Sequence, residues 1–180
     1  SGQSECLEYR LLRARLQTEK SDISIVLIVN AQASGKEDEW DRLVGRHLEE
    51  IDRSDPNLCF QYAVRLHKAG VAYDDDAIRW ADVALENKQV WNEDTYSRNV
   101  NALLKLRAQA SQLLWQEAAL TFAEDDSMEN EALTNELKNQ AMSLAREWLD
   151  YARASEQPLP VIRLAREMCA SAAGTVDACQ

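Results

Sequence analysis

Residues 56–87, PNLCFQYAVRLHKAGVAYDDDAIRWADVALEN, decide the fold of this 180-residue chain. Asp55 and Pro56 are residue types that begin a helix, and Gly70 is typical of a helix end. Apolar residues recur at helical spacing between them. Three consecutive aspartates then precede a second periodic run, which Asn87 closes. The stretch therefore predicts two helices joined by a short turn.

Three helices are predicted before this stretch. The first covers residues 5–18, and Ser21 or Asp22 caps a second that extends to about residue 33. The apolar run at 25–29 is rich in β-branched residues and would suit a buried strand equally well. Helical neighbours and Gly35 at its end favour a helix instead. An acidic first turn at residues 37–39 opens the third helix.

The helices at 23–51 and at 56–87 repeat one pattern at an offset of about 34 residues. Val44 superposes on Ile78 and Ile51 on Leu85, and small residues recur where two helices would pack closely. This period and this pattern resemble the tetratricopeptide repeat over residues 23–90. The resemblance implies a right-handed array of antiparallel helical hairpins, a solenoid that binds a partner in its concave groove. The first unit departs from the pattern where Trp40 replaces the aspartate of the second unit.

Beyond residue 90 the repeat fails and longer helices are expected. Asn92 or Asp94 opens a periodic pattern of about 28 residues, which is either one helix or a hairpin with an unseen break. A restart at residues 125–127 opens the next helix, and Pro158 precedes the last one, which Gly174 ends.

Together these segments predict one all-α domain over residues 1–180. The low content of five Gly and three Pro argues against a β-sandwich, which needs many turn residues. The expected parts are an N-terminal helix (1–22), two tetratricopeptide-like repeats (23–90), a long helical hairpin (91–157) and a C-terminal capping helix and tail (158–180).

The charge of the chain excludes some partners. A net charge of −11 repels nucleic-acid phosphates and anionic lipid headgroups. The sequence has no apolar run of about 18 residues, so direct membrane insertion is not expected either. The oligomeric state is left open.

Cysteine usage bears on the compartment. The chain has four cysteines, with no C-x-x-C pair and no histidines at zinc-ligand spacing, so a metal site is not expected: Cys6, Cys59, Cys169 and Cys179. Three disulfide connectivities are possible. The one favoured here pairs Cys169 with Cys179, because a turn at Gly174 can fold the chain end back, and pairs Cys6 with Cys59. This predicts a periplasmic or otherwise extracytoplasmic protein, and the alternative is a cytoplasmic protein with four reduced thiols.

Catalytic patterns are absent from the sequence. It has no nucleophile elbow, zinc-protease motif or phosphate-binding glycine loop, so neither an enzyme nor a cofactor is expected. Both histidines, His47 and His67, are interpreted as packing or surface residues. The aspartates at 74–76 lack the alternating ligands of a calcium loop and are interpreted as a helix cap and as a complement to the helix dipole.

One local feature runs against the acidic total. No acidic residue occurs between Thr95 and Gln116, and Arg98 and Lys105, seven residues apart, share a helix face. The predicted repeat register places further polar residues on the same concave surface, which gives a predicted partner-binding set of Asn30, Arg65, Arg98, Asn99 and Lys105. The set resembles the carboxylate clamps of some tetratricopeptide proteins.

The expected function is therefore a non-enzymatic interaction scaffold for a protein or peptide. The alternative is a structural subunit of a bacterial envelope complex for motility, secretion or outer-membrane biogenesis.

Overall fold

The computed structural model describes the backbone of residues 2–174 and 179, and the side chains from residue 10 onward within those ranges. These residues form helices and contain no strand. Seven α-helices follow one another: α1 (Gly2–Ala33), α2 (Glu37–Glu50), α3 (Pro56–Ala69), α4 (Asp74–Glu86), α5 (Glu93–Glu124), α6 (Met128–Ala154) and α7 (Leu159–Ala173). The all-α prediction is confirmed.

Helix α1 differs from the prediction in its continuity. The expected break at Ser21 or Asp22 is absent, and one helix of 32 residues replaces two shorter ones. Residues 3–33 contain neither Gly nor Pro, so nothing in the chain interrupts the hydrogen-bond ladder there. The run at residues 25–29 is helical, which resolves the strand alternative in favour of the helix.

The predicted start of α3 is confirmed. The Asp55 carboxylate accepts hydrogen bonds from the backbone N–H groups of Asn57 and Leu58 at 2.8 and 3.1 Å. Pro56 occupies the first helical position, where its missing N–H costs nothing. The aspartate therefore satisfies two donors that the helix leaves unpaired.

The spacing of the helices corrects the predicted period. Helices α2 and α4 begin at residues 37 and 74, and α3 and α5 begin at 56 and 93, so both pairs repeat after 37 residues rather than 34. The difference of three residues is close to one helical turn of about 3.6 residues. A shift of that size keeps apolar positions on nearly the same face, which is why periodicity alone selected the shorter register.

Each helix packs mainly against the helices before and after it in the chain. Gly45 of α2 allows a close approach to α3, because a Cβ there would lie 2.9 Å from the Tyr62 hydroxyl oxygen. The largest contacts join α5 to α6 and α6 to α7. Helices α2–α7, which pack one after another, are called the body below.

Helix α5 is a single helix of 32 residues, so the hairpin alternative for this segment is wrong. Asn92 caps it by accepting a hydrogen bond from the Thr95 N–H at 3.0 Å. Its largest partner is α6, where the buried Trp148 indole donates a hydrogen bond to Asn101 Oδ1 at 2.9 Å.

An ion-pair bridge links three helices across the body. Arg107 of α5 lies 2.7 Å from a carboxylate oxygen of Asp82 on α4 and 2.7 Å from one of Glu147 on α6. Burial raises the pKa of the Asp82 carboxyl, and the Arg107 charge works against that rise.

The C-terminal end carries the expected Cys169–Cys179 disulfide, whose Cα atoms lie 6.0 Å apart. Gly174 has a positive φ and provides the predicted left-handed turn between the two cysteines. The second expected disulfide is not formed, since Cys59 is a free, buried thiol.

The continuity of α1 explains the missing disulfide. The side chain of Cys6 lies outside the described residues, but its backbone belongs to α1, eleven residues before Gln17. That distance is about 16 Å of helix. Gln17 contacts the rest of the molecule by donating a hydrogen bond to the Ile51 carbonyl at 3.0 Å.

Burial, reinforced by nearby aspartates, raises the pKa of the Cys59 thiol to about 12, so the thiol stays protonated.

None of the described helices is long and apolar enough to cross a bilayer.

Candidate functional site

A groove of about 340 Å³ lies where the end of α1, the start of α2 and one face of α3 meet. We call it the α1–α3 groove. It is lined by Ala31, Gln32, Gly35, Lys36, Glu37 and Trp40 from the first hairpin, and by Phe60, Gln61, Val64, Arg65 and Lys68 from α3. Its volume lies within the range of about 300–1,000 Å³ that is usual for ligand pockets.

The local sequence explains why these residues meet. The lining positions of α3 are spaced by one, three or four residues, which places them on one face of the helix. Gly35 has a positive φ, a left-handed conformation that lets the chain turn from α1 into α2 over a short connection. The turn brings Lys36 and Trp40 beside the α3 face.

Arg65 carries the strongest electrostatic contacts of the groove. Its guanidinium lies 2.9 Å from a Glu37 oxygen and donates from Nε to the Asp41 carboxylate at 3.1 Å. The hydrogen bonds to Glu37 and Asp41 raise the pKa of Arg65 above its already high ordinary value. Arg65 therefore joins α3 to α2, and its charge is largely balanced by the two carboxylates.

The two lysines of the groove differ from each other. Lys36 forms an ion pair with Glu39 at 3.2 Å. Lys68 is exposed on α3 and forms no ion pair with any of the residues that the structure describes. Its ammonium group is the positive charge of the groove that is available to a partner.

The apolar side of the groove has a buried floor. Trp40 is 8% exposed, and its indole N–H has no hydrogen-bond acceptor among the described residues. Phe60 packs edge to face on Trp91, with ring centroids 6.4 Å apart, and the Trp91 indole donates to Asn57 Oδ1 at 2.9 Å. These contacts fix the wall and connect α3 to the segment before α5.

The structure distributes the five predicted binding residues over two places. Arg65 lines the groove, and Asn30 is exposed one residue before Ala31, which also lines it. Arg98, Asn99 and Lys105 lie on α5, and none of the described residues of α5 lines the groove.

The observed spacing relates the two places differently from the predicted register. With helix starts 37 residues apart, Arg98 takes the position of Gln61, and Lys105 takes the position of Lys68. Both α3 residues line the groove. The two cations of α5 therefore stand at the same distance from the start of their helix as two lining residues of α3.

Among the residues that line the groove, sequence reasoning identified only Arg65 as a binding residue, and it missed the lysines Lys36 and Lys68 and the buried Trp40. Trp40 stood out only as a departure from the repeat pattern. Lys68 follows Arg65 by three residues, a spacing that places two helical side chains together. That spacing was the available signal.

A second cluster is formed by one of the two histidines and the first of the three aspartates, His67 and Asp74. His67 Nδ1 lies 2.6 Å from Asp74 Oδ1, although both residues were interpreted separately. Asp74 is fully buried, and its other carboxylate oxygen has no hydrogen-bond partner among the described residues. Burial raises the pKa of the Asp74 carboxyl, while the hydrogen bond from His67 acts in the opposite direction.

The cap interpretation of Asp74 is therefore wrong for its side chain. Asp74 is the first residue of α4, and Tyr73, which precedes it, makes no side-chain cap. All three aspartates still lie in the first turn of α4, where a negative charge complements the helix dipole. The other histidine, His47, is buried as expected of a packing residue, and its Nδ1 has no partner among the described residues.

The part of the chain that the structure describes contains no group of three His, Cys, Asp or Glu residues able to hold a metal ion.

Comparison with known proteins finds no match: no protein-family model, no curated protein and no solved structure corresponds to this chain.

Proposed function

We propose that this chain is a non-enzymatic interaction scaffold, a tetratricopeptide-like array that holds a protein or peptide partner in the α1–α3 groove. The observation that carries the proposal is the composition of the groove. An apolar floor of Trp40 and Phe60 lies beside the exposed, unpaired ammonium group of Lys68. An extended segment with an apolar side chain and a carboxylate matches both features.

The position of Arg98 and Lys105 supports a longer binding surface. They stand on α5 where Gln61 and Lys68 stand on α3. A partner that extends from the groove towards α5 would meet positive charge along its path, in a protein whose total charge is −11. Acidic partners are favoured locally for that reason.

Photo-crosslinking identifies the partner without disturbing the groove. Gln61 is exposed and lines the groove, so p-benzoylphenylalanine at this position contacts whatever binds there. The matched control carries the same group at Gln89, an exposed residue outside the groove. We expect one defined crosslinked partner from the native organism at Gln61 and none at Gln89.

Charge reversal then tests the site against the purified partner. Lys68→Glu together with Arg98→Glu should weaken binding by about tenfold or more, because each charge now repels an acidic partner. Lys88→Glu, an exposed control, should leave binding unchanged. Arg65→Glu is not a clean probe, because it also breaks the ion pairs to Glu37 and Asp41. Unchanged binding in the double variant would contradict the proposal.

A second candidate is a structural subunit of a bacterial envelope complex. The observation that favours it is the Cys169–Cys179 disulfide, because such bonds persist mainly in extracytoplasmic compartments. Protein purified from its native source under thiol-blocking, denaturing conditions should have fewer than four free thiols, because two of its four cysteines form the disulfide. Four free thiols would exclude the extracytoplasmic assignment.

A further inference from the structure

Helix α1 has two apolar sides, and only one of them is covered. Ile28 and Ala31 are buried against the body. Seven large apolar residues of α1 are 47–63% exposed, and four of them, Leu12, Leu16, Ile23 and Leu27, share one side. At about 100° per residue these four lie within about 60° of the helix circumference, and their centre is about 130° from Ile28 and about 70° from Ala31. We call them the α1 stripe.

An uncovered apolar stripe of this kind indicates an interface. A helix that is apolar on both sides is normally buried on both. The stripe extends from residue 12 to residue 27, about 22 Å of helix. Beside it, Ile23 and Leu27 line a groove of about 300 Å³ with Leu43 and Ile51, and the polar side chains of this groove include Lys20, Arg46 and Glu50. The apolar surface therefore continues from α1 towards α2 as a strip that charged side chains border.

We propose that the occupant of the α1 stripe is a second copy of this chain, with the two α1 helices antiparallel. The first argument is the symmetry of the apolar pattern. In the register where the numbers of two facing residues add up to 39, Leu12 of one chain lies opposite Leu27 of the other, and Leu16 lies opposite Ile23. Each pairing then occurs once on either side of the two-fold axis, as a symmetric interface requires.

The second argument is charge complementarity. Residues 10–18 contain three basic residues and no acidic one, whereas Asp22 is the only charged residue within 21–29. An antiparallel copy in this register places the positive segment of one chain along the segment of the other that carries Asp22. A parallel copy would place the two positive segments side by side, which opposes association.

The centre of the interface has its own polar pair. In the same register Glu19 lies opposite Lys20 of the copy. At about 100° per residue both residues lie just outside the α1 stripe, and charged pairs that flank an apolar seam set partner choice and orientation. Both side chains are exposed in the single chain. Glu19 there pairs with Arg15 at 3.1 Å, and an exposed pair of this kind is weak enough to be exchanged for a contact across the seam.

Sedimentation equilibrium of the full chain, from about 1 µM to about 1 mM, tests the proposal. We expect a reversible dimer. Leu16→Glu with Ile23→Glu should weaken self-association by about a hundredfold, because two charges enter each half of the seam. The matched control changes two exposed leucines of α5, Leu113→Glu with Leu120→Glu, and should leave the dimer intact. A monomer at all concentrations, or a dimer that survives the α1 changes, overturns the proposal.

A charge swap tests the orientation. Glu19→Lys and Lys20→Glu should each weaken the dimer by about tenfold, and the double swap should restore it. Failure of the double swap to restore the dimer overturns the antiparallel register.

Vesicles of equimolar phosphatidylcholine and phosphatidylglycerol provide the competing outcome. Binding of a monomeric chain to these vesicles, lost in Leu16→Glu with Ile23→Glu, would assign the α1 stripe to a lipid surface instead and overturn the dimer. The four substituted positions of the stripe and its centre are exposed, so the thermal unfolding temperature of each variant should match that of the original chain.

Discussion

Helices α1 and α5 are both 32 residues long, yet they stand in opposite environments. Helix α5 packs against α4 and α6 and buries seven residues. Helix α1 packs mainly against α2, and among its described side chains only Ile28 and Ala31 are buried. The comparison shows that the length and apolar content of a helix do not set its burial. The number of helices around it does.

The largest expected effect comes from removing buried volume in α5. Leu103→Ala, at a fully buried position, should lower the free energy of unfolding by about 2–5 kcal/mol through lost contacts and a cavity. Leu16→Ala on α1, at a half-exposed position, should leave the free energy of unfolding almost unchanged, because few contacts are lost there. Urea unfolding at a concentration where the chain is monomeric measures both. Equal losses would show that the two helices are equally buried.

The next effect concerns the Cys169–Cys179 disulfide, which constrains the chain after α7. The cysteines of the disulfide are ten residues apart, and opening a loop of that size should cost about 2–3 kcal/mol of stability. Cys179→Ser should show this loss in urea unfolding without reductant. As a control, the original chain in reductant should have the same free energy of unfolding as the variant. The stability of the variant itself should not change when reductant is added.

A smaller effect is expected at the start of α5. Asn92→Ala removes the acceptor of the Thr95 N–H and should cost about 1 kcal/mol, the usual value of an N-cap. Gln89→Ala, at an exposed position just before the cap, is the matched control and should cost nothing measurable. A null result for Asn92→Ala in urea unfolding would mean that the first turn of α5 does not contribute to the stability of the body.

The smallest expected effect is a pH dependence of the stability, which arises because Asp74 is buried. Burial raises the pKa of this carboxyl, so the native state keeps its proton at pH values where the unfolded chain, with an ordinary pKa near 3.8, has lost it. The contribution of Asp74 to stability therefore falls as the pH rises through this window.

Asp74→Asn removes that titration but keeps a hydrogen-bonding group beside His67. The stability of the original chain relative to this variant should decrease as the pH rises from below 3.8 towards neutrality. Urea unfolding across that range measures it, with Asp75→Asn, at an exposed position, as the control. A constant difference between the original chain and Asp74→Asn would contradict a raised pKa.

Much of the helical pattern was readable from local chemistry. The Asp55 and Pro56 start of α3 and the Gly174 turn depend on interactions within a few residues, so the sequence predicted them correctly. The break at Ser21 was an error of the same local kind. Residues that suit a cap are also tolerated inside a helix when no Gly or Pro interrupts it.

The candidate site was predictable only in part. Arg65 was identified, but its partners Glu37 and Asp41 lie on another helix, at a distance that no sequence spacing reveals. Lys68 and Trp40 became part of a site because the turn at Gly35 brings α2 beside α3. Asn30 and Arg65 were placed beside Arg98 with a register of 34, whereas the helices repeat at 37. Periodicity cannot separate two registers that differ by about one turn.

The sequence by itself determined that the chain is helical and where most helices begin and end, and it favoured the cysteine pair that closes the C-terminal turn. These features depend on backbone hydrogen bonds, caps and steric restrictions that act over a few residues. Only the tertiary structure decided which apolar faces are covered, which charges are balanced and which are left for a partner. Burial and ion pairing depend on segments that are distant in sequence, and so α1 and α5, alike in length, differ in what they expose.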